Sequence, residues 1–172
     1  MRIIISDTSC LIDLRKADLL AATLALADFR VQVALPLARD ELSSFAPDDW
    51  DRLTDQGLEI VDLEARLVAK ALELKRAYRR LSAYDAFSLA LAGDEEDTIL
   101  LTSDRALRVA AEAEAVEVHG VLWVVDRLEA SGLLPPEELF RALSRLQADP
   151  LVFLPEDEVA ARLARLARPG QP

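Results

Sequence analysis

Cysteine is almost absent from this chain. Cys10 is the only one in 172 residues, so no disulfide can close within it, and an intracellular setting is the simplest expectation. Glycine is nearly as scarce. Gly57, Gly93, Gly120, Gly132 and Gly170 lie far apart, so neither a P-loop nor a GxGxxG dinucleotide turn can be written. His119 is the only histidine, which leaves a His-rich or Cys/His zinc site without ligands; Ser-His-Asp catalysis would rest on that one residue, with no GxSxG elbow. No stretch reaches about 18 uncharged apolar residues. Met1-Arg2-Ile3-Ile4-Ile5 meets Ser6-Asp7 before a signal-type apolar region develops, and the expectation is a soluble, cytoplasmic protein.

Acid is what the chain has in excess. Against 20 Lys and Arg stand 31 Asp and Glu, a formal net charge of −11. Affinity for phosphates comes largely from basic side chains neutralising them, so the net charge argues against a broad electrostatic grip on nucleic acid and directs attention to local clusters. Carboxylates are left as the reactive groups. At this length one domain burying roughly 70% of its surface is the default, and no staple is needed.

The hydropathy pattern alternates strands and helices. Arg2 to Ser6 is a β-branched run, followed by Asp7-Thr8-Ser9, where a helix can start; Leu11, Ile12, Leu14, Leu19 and Leu20 then recur at helical spacing. Val31 to Leu35 predicts a second strand, with Pro36 suiting the first turn of a helix that carries Leu37, Glu41 and Leu42. Further helices are predicted from Pro47 to Gly57 and from Leu63 to about Tyr78, with a strand at Leu58 to Val61 between them. Ser82-Ala83-Tyr84-Asp85 fits a capping box in front of a helix that Gly93 ends. Thr98 to Thr102 is the next strand, Ser103 to Ala115 the next helix, and Val116 to Val118 a short last strand. Strands separated by such helices predict an α/β fold, a parallel sheet with helices on both faces. Beyond Gly120 the pattern is helical only, over 121–131, 136–147 and 156–168, and the tail Pro169 to Pro172 is expected to fray.

Four acids sit where such a fold concentrates function. Asp7 follows the first strand, Asp104 follows the strand ending at Thr102, Asp85 lies in the first turn of its helix, and Glu41 lies in the helix after strand two. Sites in open parallel sheets form outside the carboxyl ends of the strands, where strand order reverses. Carboxylates gathered there repel one another unless protons or a cation compensate. Hard oxygen ligands without His or Cys favour Mg²⁺ or Mn²⁺, which lower the pKa of a bound water and stabilise charge on a phosphoryl oxygen. Each acid also has a plain structural reading: Asp7 and Ser103 or Asp104 as N-caps, Ser82 with Asp85 as a capping box, Glu41 as an exposed helical glutamate. Their joint placement carries the functional case.

Ile5-Ser6-Asp7-Thr8-Ser9, Asp40-Glu41-Leu42, Tyr84-Asp85-Ala86 and Leu100-Leu101-Thr102-Ser103-Asp104, in that order over residues 1 to about 120, resemble the PIN-domain nucleases, most closely the VapC-like toxins of toxin–antitoxin pairs. Val118-His119-Gly120-Val121-Leu122 and the helices beyond are similar to the carboxyl-terminal part of one bacterial branch. The resemblance implies a three-layer α/β/α catalytic core over 1–120, with a helical extension over 121–168 packed on the same domain. It implies a Mg²⁺ or Mn²⁺ site formed by Asp7, Glu41, Asp85 and Asp104, with Ser9, Thr102 and Ser103 supplying hydroxyls to the acids or the substrate. The implied activity is endoribonucleolytic hydrolysis of RNA by metal-activated water. The implied partners are an antitoxin protein that occludes the site and a second copy of the chain. Relatives often carry a further acid where Ser103 stands, which leaves one metal or two open.

Other positions admit two readings. Lys70, Lys75, Arg76, Arg79 and Arg80 place five cations just before the Asp85 helix, either a solvated face or a phosphate track leading RNA to the site. Tyr84 is expected in the core with Phe87, His119 in a turn, Cys10 as a small buried hydrophobe, and Trp50 and Trp123 in apolar surfaces, core or interface. Two rival functions remain. A receiver- or dehalogenase-type phosphotransfer protein would share the fold and Asp7, but none of the lysines (Lys16, Lys70, Lys75) follows a late strand, and Ser9 stands where the dehalogenase type needs a second aspartate. A catalytically silent PIN-like binding module would keep the acids as relics or caps.

Overall fold

The computed structural model describes residues 1–41 and 45–167, with the side chain of Glu41 outside the described part. Leu42, the last residue of the helix expected over 156–168, and the tail Pro169 to Pro172 also lie outside the described residues. Five strands form one all-parallel sheet: β1 (Arg2–Ser6), β2 (Phe29–Ala34), β3 (Leu58–Val61), β4 (Thr98–Leu101) and β5 (Glu117–His119). The strand order is β3-β2-β1-β4-β5. The chain therefore builds outward from β1 in one direction, then returns to its other edge with β4, and the order reverses between β1 and β4.

Period-two alternation in β1 explains the layering. Ile4 faces one side of the sheet, in a core with Val31, Val33, Ile99 and Leu101; Ile3 and Ile5 face the other, with Ala34 and Leu100. The first face is covered by α1 (Thr8–Lys16), α2 (Leu20–Leu24), α3 (Pro47–Asp55), α7 (Val121–Ser131), α8 (Pro136–Ala148) and α9 (Glu156–Leu166). The second is covered by α4 (Ala65–Ala77), α5 (Ala83–Ala92) and α6 (Arg105–Ala113). The fold is the expected three-layer α/β/α arrangement. Val121, Val124, Val125, Leu128, Leu139 and Leu143 share one apolar cluster with Cys10, Leu11 and Leu14 of α1.

Several local readings need correction. The apolar spacing from Leu11 to Leu20 spans two helices, because the chain leaves α1 at Ala17 and turns through Asp18 at φ 63°, a left-handed conformation that aspartate tolerates better than most residues. The second strand begins at Phe29 and ends at Ala34, before Leu35. The segment after it is a π-helical turn at Leu37–Glu41, wider than the α-helix predicted. His119 does not lie in a turn. It closes β5, with its ring stacked on Trp123 at 4.7 Å between centroids. Tyr84 is half-buried, edge-on to Phe87, and its hydroxyl donates to Asp40 Oδ2 at 3.4 Å. Trp50 stacks on Phe45 and Trp123 meets Phe29 edge-on, both against the core of their own chain. No helix among the described residues is long and apolar enough to cross a membrane.

Candidate active site

β1 and β4 end side by side, with Ser6 opposite Leu101 and the Asp7 N–H donating to the Leu101 carbonyl at 3.0 Å. The next residues, Asp7 and Thr102, therefore leave the sheet together at the point where strand order reverses. Asp7 is buried at 3% exposure, and its carboxylate is held from several sides. Oδ1 accepts the Cys10 backbone N–H at 2.9 Å, the N-cap bond that starts α1. The Ser9 hydroxyl lies 2.9 Å from both carboxylate oxygens, and the Thr102 hydroxyl donates to Oδ2. Thr102 Oγ1 also accepts the backbone N–H of Asp104 at 3.0 Å. Asp104 then N-caps α6 through Leu107 N–H at 2.7 Å.

Burial dominates the electrostatics. Desolvation lifts the Asp7 carboxyl from the ordinary 3.8 to about 6, against the Cys10, Thr102 and Ser9 hydrogen bonds that favour the ion; the charge of Asp85 adds to the rise. Asp85 is thus near enough to be felt electrostatically by Asp7. Its own carboxylate accepts the Ser82 backbone N–H at 2.6 Å while Ser82 Oγ accepts the Asp85 N–H at 3.0 Å, the predicted capping box. Among the described residues no lysine, arginine or histidine forms an ion pair with Asp7, Asp85 or Asp104. A buried carboxylate without a counter-charge, in the field of a second acid, calls for a proton or a cation. Oxygen-only donors of this kind suit a hard divalent cation, so the donor chemistry fits one. Among the described residues no three Asp, Glu, His or Cys side chains are spaced to enclose an ion by themselves. The convergence observed is Asp7 with Ser9, Thr102 and Asp104 by hydrogen bonds, and with Asp85 through its field. Glu41 sits at the end of the π-helical turn, its side chain outside the described part.

Asp13 escaped the sequence reading. It is about a turn and a half into α1, and its Oδ2 accepts the Ser103 hydroxyl at 3.4 Å; Ser103 Oγ in turn lies 3.3 Å from Cys10 Sγ, and the Ser103 N–H donates to Ser9 Oγ at 3.3 Å. Burial raises its pKa, with Lys16 opposing. Asp13, Ser9, Ser103 and Asp104 line one cavity of about 300 Å³. Spacing gave no signal for it, because Asp13 lies six residues after Asp7, a third of a turn round the helix, and its contact with Ser103 depends on which loop packs against α1.

The basic cluster is only partly neutralised. Lys70 pairs with Glu114 at 3.7 Å, and Lys75 Nζ donates to the Arg79 carbonyl at 3.4 Å. Arg76, Arg79 and Arg80 are exposed, without a carboxylate partner among the described residues, and the last two occupy the turn immediately before Ser82.

The family model DUF3368, a PIN domain, matches residues 3–168. The chain therefore belongs to the PIN-domain family. A search of curated proteins finds no match. PIN domains are typically nucleases, and those nucleases generally use divalent metal ions.

Proposed function

We propose that this PIN-domain protein is a metal-dependent endoribonuclease, and that Asp7, Glu41, Asp85 and Asp104 hold Mg²⁺ or Mn²⁺. One observation supports the reading above the rest: Asp7 is buried, without a counterion, at the strand-order reversal, and is joined to Asp104 through the Thr102 hydroxyl. A divalent ion bound at this position supplies Lewis acidity, acidifying a water and offsetting charge on the phosphoryl oxygens. Ser9 and Thr102 hold Asp7 in one orientation and favour its ionised form, which is the form that binds a cation. Asp85, fixed by its capping box at the start of α5, adds its negative field to that of Asp7. Ser103 lines the adjoining cavity and offers its hydroxyl to a substrate oxygen there. Arg76, Arg79 and Arg80 supply the local positive charge that leads an RNA phosphate toward the acids.

The same reading carries a biological role, a cytoplasmic toxin silenced by an antitoxin and assembled as a homodimer. Its support is the order and spacing of the four motifs, and an acid excess able to receive a basic antitoxin segment. The rival, a silent module, draws on the caps: Asp7, Asp85 and Asp104 each also serve a helix start. Purified wild type and Asp7→Asn, assayed on RNA with and without Mg²⁺ or Mn²⁺, decide between them. Metal-dependent cleavage lost in Asp7→Asn is the expected result; no cleavage by wild type, or equal cleavage by both, overturns the proposal.

A further inference from the structure

Two cavities meet at the loop that carries Asp104. The larger, about 530 Å³, is lined by Thr102, Ser103, Arg108, His119, Trp123 and Phe153 among others; the smaller is the one lined by Ser9, Asp13, Ser103 and Asp104. Ser103 and Phe153 line both, so Phe153 stands on the boundary between them, next to the acids. It lies in the connection between α8 and α9, where Val152 and Leu154 pack against the core while Phe153 is 86% exposed. An aromatic face left to water beside a candidate catalytic cluster is available to another flat π-surface.

Arg108 adds charge to the same place. From α6 its Nη2 donates to the Thr102 carbonyl at 3.2 Å and its Nη1 to the Val118 carbonyl at 3.4 Å, seating the guanidinium at the carboxyl ends of β4 and β5. A methyl at Gly120 would stand 3.4 Å from Nη2, so the glycine leaves the guanidinium its room. The other strong cation lining this cavity, Arg162, is paired with Asp126 and Glu158, and His119 is paired with Glu117. Arg108 has no carboxylate partner among the described residues, and two of its five donors are used on carbonyls.

We infer that Phe153 and Arg108 form a nucleotide subsite, Phe153 stacking on an unpaired base and Arg108 binding the phosphate next to it. The inference rests on the ribonuclease reading above, since it assigns a substrate contact beside that site. A base and its phosphate use both features at once, a π-face and a planar cation. An apolar protein segment would gain from Phe153 and from Leu151, 76% exposed two residues before it, but would have to desolvate Arg108 without return. In a duplex the base faces are already stacked, so the subsite takes a single-stranded segment.

The test measures binding of a short labelled single-stranded RNA in chelator, which separates binding from cleavage. Phe153→Ala is expected to weaken binding about tenfold, with Phe153→Trp restoring it and Phe153→Leu failing to. Arg108→Gln retains a donor for the strand carbonyls and is expected to flatten the dependence of log affinity on log salt by about 0.7. Unchanged affinity in Phe153→Ala overturns the subsite, as does full binding by Phe153→Leu, or a loss of self-association with RNA affinity intact. Phe153 is exposed, so its variants do not depend on the core. Wild-type cleavage in Mg²⁺ or Mn²⁺ is measured in parallel. If cleavage stands and Phe153 is silent, only the subsite falls; if wild type neither binds nor cleaves RNA, the ribonuclease reading falls with it.

Discussion

The hydroxyl of Thr102 donates to the carboxylate of Asp7 across the β1–β4 boundary, and the same oxygen accepts the backbone N–H of Asp104. One side chain thus orients two of the proposed metal ligands and helps to keep the first ionised. Thr102→Val preserves shape but leaves the Asp104 N–H and Asp7 Oδ2 without this partner, a buried loss of about 1–3 kcal/mol. The expected result is lower stability in urea unfolding, a further rise in the Asp7 pKa and at least about tenfold slower cleavage at neutral pH. Thr102→Ser, which keeps the oxygen, should retain most of both. Wild-type behaviour of Thr102→Val would remove Thr102 from the site.

Asp7 sets a pH signature. Its carboxyl titrates at about 6 in the folded chain against an ordinary 3.8, so between those values the folded state binds more protons than the unfolded one. Stability without metal should therefore fall as pH rises from about 4 to about 6 and then level off, by roughly 3 kcal/mol in total. Asp7→Asn carries no titrating group at this position and should keep only the slope of the same sign that Asp13, also raised by burial, contributes; it should be no less stable than wild type at pH 7 in chelator. Mn²⁺ should stabilise wild type increasingly as pH passes about 6, because proton and cation compete for one carboxylate. Thermal unfolding across this range, with and without Mn²⁺, measures both effects. A flat wild-type profile would contradict the burial of a charged Asp7.

The layering was legible in the sequence because strands buried on both faces read as continuous apolar runs and because caps punctuate the helices. Arg2–Ser6, the Ser82–Asp85 capping box and the starts of the helices at Val121 and Pro136 all lie where pattern alone placed them. Asp18 and the π-helical turn were not legible, since a left-handed aspartate and a widened turn leave the apolar spacing unchanged. For the site, the positions of Asp7, Asp85 and Asp104 at element ends followed from strand–helix order. The bridging role of Thr102, the contact of Asp13 with Ser103 and the exposure of Phe153 depend on which distant segments meet, which periodicity does not encode.

Arg79 and Arg80 offer a separable electrostatic test. Both are exposed, and neither has an ion-pair partner among the described residues. Arg79→Glu with Arg80→Glu should leave the unfolding midpoint within about 0.5 kcal/mol of wild type, as surface changes usually do. RNA affinity should fall, and the salt dependence of what binding remains should flatten by about 0.7 for each phosphate the cluster no longer neutralises. Affinity and salt slope equal to wild type would identify the cluster as a solvated face.

Ser82 and Asp85 separate the two roles that one carboxylate can carry. The Ser82 hydroxyl accepts the Asp85 N–H, and the Asp85 carboxylate accepts the Ser82 N–H, so both residues cap α5, but of the two only Asp85 acts on Asp7 with a charge. Ser82→Ala should cost about 1 kcal/mol of stability through the lost cap and leave the Mn²⁺-induced thermal shift in place. Asp85→Asn keeps an oxygen able to accept the Ser82 N–H, so its cap survives while its charge is gone. It should therefore shrink the Mn²⁺ shift and lower the Asp7 pKa, since the repulsion that raises it is removed. If Ser82→Ala and Asp85→Asn instead lose stability equally and respond equally to Mn²⁺, Asp85 is a cap and nothing more.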